Sequence, residues 1–396
     1  MPAGMHALPS NRMRTFAEIR SDLGGAKLAL EARGYTCIES RTWDEFLKPR
    51  LHSSDKVPGS DCDILTIQFP ASDTVSGLWG PEGDWISARY VAAELGSILE
   101  VYNPRTLIFT GRNGILSEGN GSTFAELLIS LSKYRYEACW VRLNLSSWGI
   151  PQDASRIAIV AIKTSDFAAV GEMESPSLML LSNILGINEG KTKLKKKRCL
   201  ANILDERRPR IGAPAPKKSN PYGRFGISFF GYIQDFEGTF SNEFSIFPTL
   251  ASILGLEESE WKQGICSARL VSRSGIRSIQ LKRGSLAHSI GPAISAWPLF
   301  AFPKRINLIS RMDEAFNWKS RFGDYDIGRL TPQRSLLLFG SEAKCLSSNL
   351  SEVTSSMSAQ YKLAAATVAP KFVDSLVVAL EKTLGWQNSG GRNEVH

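Results

Sequence analysis

Four short runs of apolar residues, Ile64 to Phe69, Leu107 to Phe109, Ala138 to Leu143 and Ile157 to Ile162, stand out from the more polar background of the first half of the chain. Runs of this length without polar alternation predict strands buried on both faces, as in a sheet covered by helices on either side. Between the second and third runs, Thr123-Phe-Ala-Glu126 has the spacing of a capping box, and Phe124, Leu127, Leu128 and Leu131 then fall on one helical face. Strand, helix, strand at this spacing predicts a βαβ unit. Near the other end, Phe372 to Leu384 places Phe372, Leu376, Val377 and Leu380 on one face. That helix is expected to pack back on the first domain as ordinary core.

The grain changes in the middle of the chain. In Phe225-Gly-Ile-Ser-Phe229-Phe230-Gly-Tyr232, aromatic residues and glycines mix, and Phe236, Phe240, Phe244, Phe247, Trp297, Phe300 and Phe302 follow. This predicts a small, irregular, β-rich region from about 186 to 325, whose aromatics serve mainly as its core, with stacking on nucleic-acid bases as the alternative. The expected organisation is therefore an α/β domain over 1–185, the second region over 186–325, and a segment over 326–390 that returns to the first domain.

Composition sets broad limits. A chain of 396 residues with 43% hydrophobic content can build a substantial core. It has no apolar run of the ~18 residues that a membrane span needs, and Met1 to Arg14 lack the apolar centre of a signal peptide. A soluble, cytoplasmic protein without membrane contact is expected. Six cysteines without a Cys-x-x-Cys pair and four histidines offer no zinc-site or disulfide pattern, so no metal is expected.

Charge is more informative once it is located. Lys191, Lys193, Lys195, Lys196, Lys197 and Arg198, then Arg207, Arg208 and Arg210, then Lys217, Lys218 and Arg224 make twelve basic residues against Asp205 and Glu206, a balance of +10 over 191–224. The whole chain carries +8, so the remainder sums to −2. Such a stretch is either a solvated linker or a phosphate-binding surface whose affinity would fall with salt.

Several segments carry a family resemblance in order. Asp22-Leu-Gly24-Gly25-Ala26 leads into a helix and Trp43 follows; Asp63 to Ala71 forms a strand and loop; Asn103 to Leu116 forms a strand and turn. Gly149-Ile-Pro-Gln152-Asp-Ala154-Ser-Arg156 enters a strand, Arg329-Leu-Thr-Pro332 follows the middle region, and Tyr361 to Pro370 leads into the closing helix. This series resembles the cytosine-5-specific DNA methyltransferase family. The resemblance implies a Rossmann-like S-adenosylmethionine-dependent methyltransferase fold with a smaller, irregular β-rich target-recognition domain. It implies S-adenosylmethionine as cofactor and double-stranded DNA as partner, and it places the basic stretch where the family's chain lies along the DNA cleft.

Methylation at cytosine C5 requires a thiolate to add at C6, an acid near N3, and a methyl donor beside a flipped base. Where the family carries Pro-Cys-Gln, this chain has Pro70-Ala71-Ser72, so the nucleophile is absent. Cys62 cannot replace it, because an extended strand rising roughly 3.3 Å per residue separates the two by more than about 20 Å. The family's acidic residue falls on Thr110, and no acid lies between Glu100 and Glu118. Gln152 and Arg156 match the strand-entry motif, whereas Ala154 replaces its first arginine.

The donor site departs in the same way. Gly24 and Gly25 are kept, but Asp22 replaces a glycine, Arg20 replaces an aromatic, Thr42 takes the place of the ribose-binding acid before Trp43, and Ala365-Ala366 replace the final Gly-Asn. The expectation is a catalytically degenerate homologue acting as a DNA-binding or regulatory partner of an active methyltransferase or of a restriction-modification system. An active enzyme using divergent chemistry and a free-standing DNA-binding protein are the alternatives.

Overall fold

The computed structural model describes residues 13–20, 23–43, 45–46, 61–69, 88–148, 150, 155–164, 175–186, 193–207, 220–237, 265–272, 275–282, 336, 346, 350, 360, 363–364 and 367–386. The elements run β1 (Thr15–Arg20), α1 (Gly25–Ala32), β2 (Thr36–Thr42), β3 (Ile64–Gln68), α2 (Ala88–Tyr102), β4 (Thr106–Arg112), α3 (Ser122–Lys133), β5 (Tyr136–Asn144), β6 (Ser155–Lys163) and α4 (Pro176–Leu185). After these come β7 (Lys193–Leu194), β8 (Arg198–Cys199), α5 (Leu200–Arg207), β9 (Phe225–Phe229), β10 (Tyr232–Glu237), β11 (Ile265–Ser272), β12 (Gly275–Lys282) and α6 (Pro370–Leu384).

All four predicted apolar runs are strands of one sheet, ordered β2-β1-β3-β4-β6-β5-β9-β10-β7. β2, β1, β3 and β4 are mutually parallel, and β6 lies antiparallel between β4 and β5. β4 and β5 therefore point the same way, joined through α3 as predicted, but one strand apart. Period-two alternation divides the core into two layers. Phe16, Ile64, Ile108 and Val160 face α1, α4 and α6, whereas Ala17, Leu65, Leu107 and Ile159 face α2, α3 and α5. With both faces covered, the central strands must be apolar throughout, which is why their sequence runs do not alternate.

The capping box expected at Thr123–Glu126 does not form. Gly119, Asn120 and Gly121 turn through positive φ (56°, 59° and 94°), so α3 starts at Ser122 with Gly121 as its cap residue. Thr123 is thereby carried inside the first turn, fully buried, where its hydroxyl finds no partner. The predicted apolar face of Phe124, Leu127, Leu128 and Leu131 is buried as expected.

The aromatic and glycine stretch at 225–237 belongs to the main sheet rather than to a separate layer. β9 pairs antiparallel with β5, placing Gly226 opposite Trp140. A Cβ on Gly226 would lie 2.0 Å from the Trp140 ring, so the glycine is what lets the indole cross the neighbouring strand. The expected second region, starting near 186, thus contributes its first strands to the first sheet. Farther on, β11 and β12 pair only with each other among the described residues. Phe240, Phe244, Phe247, Trp297, Phe300 and Phe302 lie outside the described residues.

The closing helix returns to the first domain. Phe372, Leu376, Val377 and Leu380 are buried, Phe372 edge-on to Trp148 at 5.1 Å between ring centroids. Arg33, after α1, pairs with Asp374 at 2.9 Å and with the buried Glu381 at 2.5 Å, and Tyr35 donates to Glu381 at 2.9 Å.

Candidate active site

Strand order reverses direction between β1 and β3: from β1 the chain steps outward to β2, and later from β3 to β4 on the other side. A crevice opens at the carboxyl ends of the strands at such a switch point, where open α/β sheets bind ligands. Arg20, Thr42, Gln68 and Arg112 end the four parallel strands around it.

At the end of β1, Gly24 adopts φ +87° as the cap residue of α1, a conformation that glycine reaches without strain. Gly25 has a different constraint: a Cβ there would lie 1.9 Å from the Val368 carbonyl oxygen, so it admits the segment entering α6. One amide in the first turn of α1, that of Lys27, already faces a carboxylate. Glu18, 2% exposed, accepts from the Lys27 amide at 3.2 Å and from the Ser40 hydroxyl at 2.8 Å. A carboxylate is well placed at that helix end because the helix dipole leaves it partly positive. Arg20 donates to the same Ser40 hydroxyl at 3.3 Å, and its Cδ passes 3.9 Å from where a Gly24 Cβ would be.

Thr42 and Trp43 hold the end of β2. The Thr42 amide and hydroxyl both donate to Glu45, at 2.7 and 2.9 Å, and the Glu45 amide donates back to the Thr42 hydroxyl at 3.3 Å. This is a reciprocal capping box, three residues apart. Trp43 is 1% exposed, donates from Nε1 to the Gln68 carbonyl at 2.9 Å, and meets Phe46 edge-on.

β3 and β4 end side by side. Gln68 is opposite Thr110, and the Phe69 amide donates to the Thr110 carbonyl at 2.8 Å. Phe69 stacks on Phe109 at 5.5 Å, and Gly111 is needed there because a Cβ would lie 2.9 Å from that of Phe69. The chain therefore leaves β3 from a fixed point, next to a buried Thr110. Cys62 sits just before β3, at its opposite end, 2% exposed, with burial pushing its thiol up to about 12. It is neither near the crevice nor ionised at neutral pH.

The model for C-5 cytosine-specific DNA methylases matches residues 14–222, more than half of the chain and all of the crevice just described. The chain belongs to this family. Type II methyltransferase M.BsuFI of Bacillus subtilis is 25% identical over 158 residues, 37% of this chain and 38% of the relative. Type II methyltransferase M.HhaI of Haemophilus parahaemolyticus is 25% identical over 161 residues, 37% of this chain and 49% of the relative. The chain thus spans less than half the length of these relatives. A DNMT2 crystal structure from Spodoptera frugiperda superposes over 93% of this chain and 99% of its own at 12% identity, with a TM-score of 0.42. The fold is the S-adenosylmethionine-dependent methyltransferase α/β fold, carried here by the family match and the strand order.

Of the positions that the sequence resemblance assigns to catalytic groups, Thr110 is buried near the end of β4, opposite Gln68, and Arg156 lies near the start of β6, opposite Arg112 and 7% exposed. Ala71 and Gln152 lie outside the described residues, as do Asp22, Ala154, Ala365 and Ala366. Among the described residues, no group of three or more His, Cys, Asp and Glu side chains is placed to hold a metal, and no helix is long and apolar enough to cross a membrane.

The basic stretch divides. Lys195, Lys196 and Lys197 are exposed along the outer edge of β10, the Lys195 amide donating to the Asp235 carbonyl at 2.9 Å. Arg198 is committed to structure through the Asp235 carboxylate and the Pro221 carbonyl at 3.0 Å. Arg207 closes α5, and Lys193 contributes to β7. Lys191, Arg208, Arg210, Lys217 and Lys218 lie outside the described residues. From Asp235 the exposed lysines run toward the hairpin between β9 and β10, away from the crevice.

Sequence reasoning missed Glu18, Ser40 and Glu45, which occupy the polar positions around the first loop. Glu18 had a signal: an acid inside the apolar run Phe16 to Ile19 is buried charge, and buried charge requires partners. Thr42-Trp-Asp-Glu45 also had capping-box spacing, but it was obscured by lying at a position the resemblance assigned to the cofactor.

Proposed function

We propose that this methylase-family chain is catalytically degenerate and works as a DNA-binding or regulatory partner in DNA methylation. The observation that carries the reading is the combination of Ala71 with Thr110. These are the two positions at which attack at C6 and protonation near N3 would be organised. Alanine supplies no lone pair, and threonine supplies no carboxyl. Cys62 offers no substitute, being buried at the far end of β3 with its thiol pushed up to about 12.

The side chains around the first loop do not fit a sulfonium donor. The Lys27 amide of α1 donates to Glu18, the Thr42 amide and hydroxyl are bound by Glu45, and Trp43 presents 1% of its surface. Arg20, where the resemblance expects an aromatic, is held by Glu18 at 3.9 Å and by Ser40 at 3.3 Å and supplies no ring for the donor to pack on. S-adenosylmethionine is therefore expected to bind weakly or not at all. Calorimetric titration of the full chain tests this: no saturable heat at millimolar donor is expected, and micromolar binding would overturn it.

Membership of the methylase family supports a role in contacting double-stranded DNA, and the positive balance of the 191–224 stretch suits a polyanion, although its described exposed lysines lie on the side away from the crevice. That several relatives are named type II methyltransferases favours a restriction-modification setting, with an active methyltransferase as the companion. Co-purification with such a companion, together with a change in its methylation rate, is the expected outcome. Absence of both would remove the partner role.

A further inference from the structure

The hairpin joining β9 to β10 carries an unusual residue at its tip. Phe229 pairs with Tyr232, so Phe230 and Gly231 form a two-residue turn, with φ of 45° and 77°. Positive φ at both positions is the type I′ geometry, which favours Asn-Gly. A bulky phenylalanine in the first position is strained there. Its ring gains nothing from burial in return, because Phe230 is 72% exposed.

The surroundings of that ring are basic and aromatic. Lys197 Nζ lies 4.4 Å from the Phe229 ring centroid and 4.2 Å from that of Tyr232, itself 41% exposed. Lys195 and Lys196 extend the exposed positive surface along β10. The tip is rigidly seated, since the Leu200 amide at the start of α5 donates to the Gly231 carbonyl at 2.9 Å. It also faces away from the crevice. β9 runs antiparallel to β5 with Ser228 opposite Ala138, so the turn lies level with the amino-terminal end of β5.

We infer that this tip is a second nucleic-acid surface, separate from the crevice, that binds a single-stranded segment. The Phe230 ring stacks on one base while Lys195, Lys196 and Lys197 face the phosphates. Exposed lysines beside an outward aromatic complement a polyanion that also offers flat apolar faces. A single strand fits better than a duplex, whose bases are covered by their own stacking and whose outer surface would put phosphates against the ring. The inference goes beyond the partner role above and does not depend on whether methyl transfer is lost.

The test uses the full chain, a short fluorescein-labelled oligothymidylate and its duplex with oligodeoxyadenylate. Phe230→Asn restores the residue the turn prefers, so its unfolding midpoint should equal or exceed that of the parent, while affinity for the single strand falls about tenfold. Lys195→Gln with Lys196→Gln should flatten the salt dependence of single-strand binding by roughly 0.7 in log–log slope for each phosphate that is no longer neutralised. Duplex binding should be unchanged in Phe230→Asn. Single-strand affinity that survives Phe230→Asn, or a parent chain that does not bind the single strand, would overturn the inference. An equal loss on the duplex would overturn the single-strand assignment. Duplex binding that persists while the tip variants have no effect leaves the proposed partner role standing, so the two failures are distinct.

Discussion

Single residues in this chain show where constraint comes from packing and where it does not. Gly25 sits in a motif that the family resemblance assigns to the cofactor, yet its immediate neighbour is the Val368 carbonyl oxygen, 1.9 Å from where a Cβ would be. Gly25→Ala should therefore destabilise the fold by about 2–3 kcal/mol by forcing the α6 segment outward, as measured by urea denaturation. Thr123 is the opposite case. Its hydroxyl is buried without a partner, so Thr123→Val keeps the shape and removes an unmet polar group. Stability should rise by about 1 kcal/mol in the same assay, and a loss above that size would mean that the hydroxyl is satisfied. Neither effect was legible in the sequence. A left-handed glycine turn moved the helix start by two residues, from a cap at Thr123 to one at Gly121, and close approach of distant backbone leaves no local signature.

At the scale of elements, the sequence was most readable where burial on both faces demands uninterrupted apolar runs, as in β3, β4, β5 and β6. It was least readable where an element's role depends on a distant partner. Glu381 in α6 reads as a surface residue of an amphipathic helix, but it is 6% exposed at its side chain and meets Arg14, Arg33 and Tyr35. Removing its charge by Glu381→Gln strands those partners and should cost about 2–3 kcal/mol, somewhat less than a fully buried pair because the arginines are partly exposed.

The same contacts fix an alkaline limit. Burial and then the Glu381 charge push the Tyr35 hydroxyl above its ordinary value, and burial followed by the Glu39 hydrogen bond does the same at Tyr102. Both hydroxyls ionise more readily in the unfolded chain than in the folded one. The stability they contribute is complete below their unfolded values near ~10 and is lost as pH rises beyond them. Denaturation midpoints should fall above about pH 10, and the fall should be shallower in Tyr35→Phe. An equal slope in both chains would exclude Tyr35 as a source.

Across the whole molecule, the α/β class and the family could be read from motif order, because strand ends and turns keep their spacing even when side chains change. Ala71, Thr110 and Thr42 stand where the resemblance expects a thiol and two carboxyls, whereas the contacts of Glu18 with Ser40 and the Lys27 amide are recognisable only once β1 and β2 are paired. β9 and β10 carry a composition suited to a separate region, while their hydrogen bonds join the first sheet. The proposed picture is a methylase-family scaffold in which Ala71 and Thr110 stand where the resemblance puts the reacting groups. Its central claim is tested most directly by tritium transfer from labelled S-adenosylmethionine to mixed-sequence duplex DNA, run with the unaltered chain and with Ala71→Cys. The proposed reading predicts no incorporation by either, because Thr110 offers no carboxyl and Arg20, Asp22 and Thr42 stand where the resemblance expects the donor contacts; label incorporated by the unaltered chain would contradict the account.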